Sequence, residues 1–166
     1  MNIERILNAL NEHEVAYMLI GGVNFLLRHQ GPMTYDVDIW IDDSDENRAR
    51  CEAALRALDA EWGSRDEDWG PVEERPSGWL DGQSVFCLLT PHGALDVFRQ
   101  MRGLPDWATC RNRAVHVTIS GTIECFAVND QDMLDSQLAL PPGLQRTERL
   151  RVLRAAIERD GPEGAP

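Results

Sequence analysis

Residues 34–40, TYDVDIW, hold two aspartates one residue apart in an otherwise strand-like run. Because side chains two residues apart on a strand point to the same face of a sheet, Asp36 and Asp38 are predicted to stand side by side. Two adjacent carboxylates repel each other, which raises the pKa of one of them and costs stability. Hard divalent cations prefer oxygen ligands and would relieve this repulsion. The stretch therefore indicates half of a metal site, the alternative being a surface-exposed strand face.

A third carboxylate occurs in a similar setting further along the chain. Asp96 is an isolated acid in the apolar, strand-like run ALDVF, where a bare charge is costly to bury. If this strand neighbours residues 36–41, its carboxylate completes the site. We predict that Asp36, Asp38 and Asp96 are the metal ligands and catalytic residues, holding two Mg²⁺ or Mn²⁺ ions.

Gly21 and Gly22 lie between the apolar run VAYMLI and the helical pattern VNFLLRHQ. Glycines at the start of a helix let phosphates approach the backbone, where free amide groups favour anions. A glycine pair alone can equally mark a tight structural turn. Followed by an Asp-x-Asp strand and a later strand aspartate, the pair indicates a nucleotide site, because magnesium keeps substrate phosphates among its ligands.

Hydrophobic periodicity predicts an α+β (α/β) fold, with a mixed sheet and helices packed mainly on one side. Strands are expected at 15–20, 36–41, 84–90, 94–100, 114–119 and 123–128, and helices at 3–12, 23–30, 44–62, 130–140 and 147–160. Ser44 and Asn129 are the predicted caps at the start of the third and fourth of these helices. Residues 63–82 are rich in Gly, Pro and acids and are expected to form a long loop. We expect one domain over residues 1–160 and a disordered tail over residues 161–166.

Composition excludes some classes of partner. The chain has 28 acidic and 16 basic residues, a net charge of −12, and every basic residue is arginine. Such a surface repels phosphate backbones, so tight nucleic-acid binding is not expected. No stretch has the length of a membrane span, the start does not read as a signal peptide, and the four cysteines form no CxxC pair. We expect a cytoplasmic protein with reduced thiols.

These motifs together resemble the polymerase-β-like nucleotidyltransferase superfamily. Its pattern is an apolar strand, Gly-Gly or Gly-Ser, a helix, an Asp-x-Asp strand and a third acid on another strand. The stretch YMLIGGVNFLLRHQGPMTYDVDIWI, residues 17–41, is similar to the opening of small prokaryotic members, the AbiEii-type and minimal nucleotidyltransferases of toxin–antitoxin systems. VNDQDMLDSQLAL, residues 128–140, also looks like the helix that follows their sheet.

The resemblance implies a magnesium-dependent enzyme with a nucleotidyltransferase-like sheet. Such an enzyme moves a nucleoside monophosphate from a nucleoside triphosphate to a protein, RNA or small-molecule acceptor. A toxin or antitoxin is the implied partner protein. The implied binding residues for the nucleotide are Gly21, Gly22, Thr34 and Arg99.

Three positions depart from the family pattern. The basic residue often found just before the Asp pair is absent, with Met33 and Tyr35 around Thr34. The residue after the glycine pair is often Ser or Thr in active relatives and is Val23 here, and the late helix often carries a lysine where Gln137 stands. These changes leave the metal ligands intact but reduce the charge and hydroxyl groups near the phosphates. The arginines that follow the third aspartate could compensate: Arg99, Arg102, Arg111 and Arg113.

The departures favour an alternative function, a degenerate protein that binds nucleotide or a partner without turnover. An antitoxin whose acidic surface neutralises a basic toxin is a third hypothesis. The arginine series of the last helix is usual for a solvated face, with acceptor binding as the alternative: Arg146, Arg149, Arg151 and Arg154.

Overall fold

The computed structural model describes residues 1–161. Its helices are α1 (Ile3–Glu12), α2 (Gly21–His29), α3 (Asp45–Ala57), α4 (Trp107–Arg111), α5 (Asp130–Leu138) and α6 (Thr147–Asp160). Its strands are β1 (Tyr17–Leu19), β2 (Asp36–Ile41), β3 (Glu61–Trp62), β4 (Gly70–Pro71), β5 (Val85–Thr90), β6 (Gly93–Phe98), β7 (Val115–Ile119) and β8 (Ile123–Ala127).

The strands form one sheet in the order β4-β3-β5-β6-β2-β1-β8-β7. The pairs β2–β6 and β1–β8 are parallel, and the other neighbours are antiparallel. The predicted hairpins at 84–100 and 114–128 are present as β5–β6 and β7–β8. The mixed sheet expected from the sequence is therefore confirmed, with β2 and β6 at its centre.

Helices lie on both faces of this sheet, which differs from the mainly one-sided arrangement that the sequence predicts. Val37, Ile39 and Ile41 of β2 join the cluster that contains the buried residues of α1 and α3. Trp40 belongs to a second cluster, on the opposite face, with residues of α5 and α6. The reason lies in the sequence of β2, because its last three residues, 39–41, are all buried, and alternating side chains then need cover on both faces.

The predicted helix over residues 44–62 ends earlier in the structure, at Ala57. Ser44 caps its start as predicted, accepting a hydrogen bond from the backbone N–H of Asn47 at 3.4 Å. At the other end Asp59 takes a positive φ of 49°, so the chain turns and continues as β3. Trp62, which helical spacing places on the buried face of α3, lies in β3 instead.

Aromatic packing explains why Trp62 belongs to a strand. Its ring lies 5.3 Å from that of Trp79 and 5.2 Å from that of Phe86. The three rings anchor residues 63–82, which contain β4 and short 3₁₀ turns rather than a purely irregular loop. Val72 and Leu80 in this segment are buried, so the segment is part of the folded core.

At the end of the described chain, Gly161 caps α6 with a φ of 71°. The remaining residues of the predicted tail, 162–166, lie outside the described part. None of the helices in residues 1–161 combines the length and apolar character that a bilayer crossing requires.

Candidate active site

The structure brings together the three carboxylates that the sequence singles out. β2 and β6 are parallel neighbours, and their register sets Asp38 beside Asp96. One carboxylate oxygen from each of Asp36, Asp38 and Asp96 lies within 4.8 Å of the other two. All three residues are half-buried. We call this cluster the aspartate triad.

The electrostatics of the triad are those of grouped carboxylates. Burial raises the pKa of Asp38 to about 6, and the charges of Asp36 and Asp96 also raise it, against the opposing effects of the Gly22 N–H and of Arg149. Burial likewise raises the pKa of Asp96, with Asp36 adding to the shift and a hydrogen bond from Cys87 opposing it. An all-carboxylate donor set at this spacing fits a hard divalent cation, whose charge would remove the repulsion.

Thr34 and Gly22 orient the carboxylates of β2. The Thr34 hydroxyl donates a hydrogen bond to the Asp36 carboxylate. The backbone N–H of Gly22 donates to Oδ2 of Asp38 at 3.2 Å. Thr34, expected to bind the nucleotide, therefore positions Asp36 in the structure, because only Tyr35 separates the two residues at the start of β2.

The glycine pair allows α2 to begin directly against the triad. Gly21 has a φ of 62°, and a Cβ added there would lie 2.0 Å from Oδ2 of Asp38. A Cβ on Gly22 would lie 2.6 Å from Oγ1 of Thr34. Both glycines are thus required by close approach of the backbone to these side chains. Gly21 also borders an open cavity beside the triad.

That cavity has a volume of about 630 Å³ and lies between the ends of β1, β5 and β6 and the helices α5 and α6. We call it the triad cavity. Its lining is largely apolar, with Ile20, Val85, Phe98, Met101, Met133 and Leu140. Charged groups reach it from Asp38, Arg102 and Arg149. A cavity of this size suits a small organic ligand.

Three of the four arginines expected to compensate for missing phosphate-binding charge have structural partners. Arg99 forms an ion pair with Asp43 at 2.6 Å and donates to backbone carbonyls of Leu80 and Gln83 at 2.9 and 3.2 Å. Arg113 pairs with the buried Asp132 at 2.5 Å. Arg111 stacks over the ring of Phe126, 3.2 Å from its centroid. Arg102 alone among the four lines the triad cavity.

Arg149 is a basic residue of the cavity that the arginine pattern of α6 does not single out. The series Arg146, Arg149, Arg151 and Arg154 is typical of a solvated face, yet Arg149 is half-buried. Helical spacing does carry a signal. Position 149 lies four and seven residues before Leu153 and Ala156, both buried, and so belongs to the inward stripe of α6.

The departures from the family pattern have different surroundings. Met33 and Tyr35, which stand around Thr34 where a basic residue is often found, are exposed and do not line the triad cavity. Val23 is 2% exposed and packs in the core on the α1 and α3 face of the sheet. Gln137 lines the triad cavity, and its side-chain oxygen accepts a hydrogen bond from the backbone N–H of Arg146 at 3.3 Å. Of these departures, only Gln137 therefore changes the lining of the cavity.

No protein-family model matches the chain, and no curated protein matches it in sequence. Solved structures do match. The antibiotic-resistance factor ANT(2'')-Ia in solution has a TM-score of 0.60 and 16% identity over 96% of this chain and 82% of that one. ANT(2'')-Ia in complex with adenylyl-2''-tobramycin gives 0.59 and 17% over 96% and 87%. A candidate nucleotidyltransferase, TM1012 from Thermotoga maritima, gives 0.56 and 15% over 95% and 91%.

These matches extend over nearly the whole chain at low sequence identity. They show that the chain has the fold of these nucleotidyltransferases, with its eight-stranded mixed sheet and flanking helices. A fold carries many functions, so activity has to be argued from the site.

Proposed function

We propose that the protein is a magnesium-dependent nucleotidyltransferase that moves a nucleoside monophosphate from a nucleoside triphosphate to a hydroxyl-bearing acceptor. The observation that carries the proposal is the aspartate triad, drawn from two parallel strands and bordered by an open cavity, in a fold shared with nucleotidyltransferases. Two ions held by three carboxylates are the usual arrangement for in-line displacement at phosphorus.

Each triad residue has a proposed task. Asp36 and Asp38 would hold both Mg²⁺ ions, and Asp96 would bind one of them. Bound there, the ions supply Lewis-acid stabilisation of the attacking and leaving oxygens. Asp96, whose pKa is raised by burial, would accept the proton of the acceptor hydroxyl. The acceptor oxygen then bonds to the α-phosphorus, while the bond from that phosphorus to pyrophosphate breaks.

The triad cavity is proposed to receive the nucleotide, with its phosphates beside Gly21 and Gly22. The backbone N–H of Gly22 is committed to Asp38, so the glycines contribute mainly space at the start of α2. Arg99, committed to Asp43, would act on nucleotide binding only through the loop that follows β6. The apolar walls suit a base and ribose better than they suit a second charged group.

The acceptor is proposed to be a protein or a small molecule. A net charge of −12 disfavours an RNA acceptor. ANT(2'')-Ia, which shares the fold, binds adenylyl-2''-tobramycin. In this chain Asp38 is the acidic residue among those that line the cavity. The lining therefore offers little negative charge to bind a polycationic acceptor. A role in the cytoplasm beside a toxin or antitoxin, as in the AbiEii-type relatives that the sequence resembles, is the proposed context.

The decisive experiment is transfer from α-labelled nucleoside triphosphates with Mg²⁺, scored as labelled products and released pyrophosphate. Candidate acceptors are a cell lysate, purified proteins encoded by neighbouring genes, and aminoglycosides. We expect wild-type transfer to be lost in Asp36→Ala and retained in Asp66→Ala, which removes an exposed carboxylate outside the site. Magnesium-dependent nucleotide binding without transfer to any acceptor would instead support the non-catalytic alternative, which the Gln137 departure favours.

A further inference from the structure

The environment of Arg149 combines partial burial, an aromatic ring and an open cavity beside the aspartate triad. Arg149 is half-buried on α6, lines the triad cavity, and its guanidinium carbon lies 4.9 Å from the centroid of the Phe25 ring. Among the residues that the structure describes, it has no carboxylate within ion-pair distance. Burial lowers its pKa, as does the charge of Arg146, and the more distant Asp38 and Asp36 oppose the shift.

Most other partly buried arginines are paired with acids, and the exceptions, Arg75 and Arg111, lie over the rings of Trp62 and Phe126 and do not line the triad cavity. Arg28 lies 3.1 Å from Asp130, Arg48 lies 3.0 Å from Asp43, and Arg99 contacts the same Asp43. A partly buried charge without such a partner costs free energy. An open cavity on one side of Arg149 gives an anionic ligand room to supply the missing partner.

The aspartate triad provides only part of the charge that Arg149 lacks. Asp36 and Asp38 act on it at a distance, beyond ion-pair contact. Once cations occupy the triad, their positive charge cancels this attraction and repels the guanidinium. Arg149 then needs an anion that approaches from the cavity. A polyphosphate bound to the same cations would bring that anion into reach.

We propose that Arg149 is the receptor for the polyphosphate part of the nucleotide, and that it replaces the cation missing at Gln137. This inference rests on the proposed function and names the group that binds its substrate. The planar guanidinium presents paired donors that match phosphate oxygens, and the ring of Phe25 beneath it restricts its rotation. Arg149 would thereby select triphosphates over the corresponding nucleosides.

The test uses binding rather than turnover. Affinities of inorganic tripolyphosphate, a non-hydrolysable ATP analogue and adenosine are measured by calorimetry with Mg²⁺ for the wild type and for Arg149→Gln. Charge-assisted hydrogen bonds of this kind make us expect an affinity loss of about 10- to 100-fold for the first two ligands. Adenosine binding should stay within about twofold. Arg154→Gln, an exposed arginine on the same helix, should behave as wild type.

The outcomes separate the two proposals. If the wild type binds neither tripolyphosphate nor the ATP analogue, the proposed function fails, and the inference fails with it. If the wild type binds both and Arg149→Gln binds them equally well, only the inference is overturned. This conclusion holds even if Arg149→Gln is less stable than the wild type in the absence of Mg²⁺. Should Arg149→Gln not fold, Arg149→Lys decides. A drop of threefold or more for tripolyphosphate supports the paired-donor role, and unchanged affinity overturns it.

Discussion

At the scale of single residues, Asp38 combines a raised pKa, partial burial and a hydrogen bond from the backbone N–H of Gly22. Its pKa of about 6, against an ordinary value of 3.8, means that the folded state holds a proton that the unfolded state releases between about pH 4 and 6. The stability of the metal-free protein should therefore fall as the pH rises through that window. Metal ligands must be deprotonated, so Mg²⁺ affinity should change in the opposite direction.

We predict that Mg²⁺ raises the melting temperature strongly at pH 7.5 and little at pH 5. Each pH unit below about 6 should lower the affinity roughly tenfold for each proton displaced, and the raised pKa of Asp96 adds to the slope. Thermal unfolding with and without 10 mM Mg²⁺ across this range measures the effect. Asp38→Asn should abolish the Mg²⁺ response and Asp66→Asn should keep it. A response that is the same at pH 5 and pH 7.5 would contradict a site built on Asp38.

The sequence predicted the aspartate triad better than it predicted which arginines lie near it. An acid in an apolar strand has few structural uses, so Asp36, Asp38 and Asp96 could be identified from their setting. An arginine near the site has many uses, and Arg99 follows Asp96 closely but is held by Asp43. Arg149 is distant in sequence, and only the packing of α6 brings it to the cavity.

At the scale of elements, the start of α2 lies in close contact with the middle of β2, where Gly21 approaches Asp38. Gly21→Ala forces a side chain into a left-handed conformation, which costs about 1–2 kcal/mol, and aims its Cβ at Oδ2 of Asp38. We predict a loss of at least about 2 kcal/mol in the free energy of unfolding, together with loss of the Mg²⁺ response. Denaturant unfolding measures the first effect and thermal shifts measure the second.

Gly143→Ala is the matched control for this substitution. An added Cβ at Gly143 meets no atom within 4 Å, so its free energy of unfolding should stay within about 0.5 kcal/mol of wild type. If Gly21→Ala unfolds like the control and keeps its Mg²⁺ response, the close approach between α2 and Asp38 is not essential.

The β5–β6 hairpin sets Cys87 directly opposite Asp96. Cys87 is exposed at the surface, but partial desolvation of its thiol and the neighbouring Asp96 raise its pKa to about 11. Alkylation should therefore be slow at neutral pH and should accelerate as the pH rises. The other cysteines are buried: Cys51, Cys110 and Cys125. We predict that iodoacetamide at pH 9 modifies Cys87 first, and that the modification weakens Mg²⁺ binding at least about tenfold, because it removes the hydrogen bond from Cys87 to Asp96 and crowds the triad.

Mass spectrometry locates the modification, and calorimetry measures Mg²⁺ binding before and after it. In Cys87→Ala the reagent should cause no further change in affinity. Full Mg²⁺ affinity in wild-type protein alkylated at Cys87 would show that this side of the triad tolerates added bulk.

Elements with strong local signals could be predicted, and those set by distant contacts could not. Ser44 and Asn129 cap the helices that they were expected to begin. The structure ends α3 earlier than the sequence predicts, because Trp62 has helical spacing but its aromatic partners, Trp79 and Phe86, lie much further along the chain. The order inside residues 63–82 depends on the same long-range contacts, which composition does not reveal.

At the scale of the whole molecule, the site exists because the sheet is covered unequally on its two faces. One face is closed by α1 and α3 over a continuous apolar cluster, which fixes the backbone of β2. The other face is covered by α5 and α6, and leaves a cavity of about 630 Å³ next to Asp38. Rigid support beneath the triad and open space beside it are both needed for a site that holds ions and a substrate together.

The net charge of −12 makes a prediction about the acceptor. Non-specific nucleic-acid binders reach dissociation constants of about 10⁻⁴ to 10⁻⁶ M at physiological salt, and we expect this protein to bind single-stranded RNA and tRNA more weakly than that. Fluorescence anisotropy at 150 mM NaCl measures the affinity. Lowering the salt should not strengthen binding, because repulsion between like charges grows as screening is removed.

The arginines at and near the start of α6 are the feature that could allow RNA binding despite the negative net charge. Arg146, which precedes α6, and Arg151 and Arg154 on that helix are exposed, although Arg151 is paired with Glu148 at 2.5 Å. Micromolar binding of RNA that weakens steeply with added salt, and that falls in Arg146→Gln/Arg154→Gln, would show that a local basic surface overrides the overall charge. The acceptor would then be the end of an RNA, because the same helix carries Arg149 into the triad cavity. Binding that stays undetectable at every salt concentration leaves proteins and small molecules as the acceptors to test.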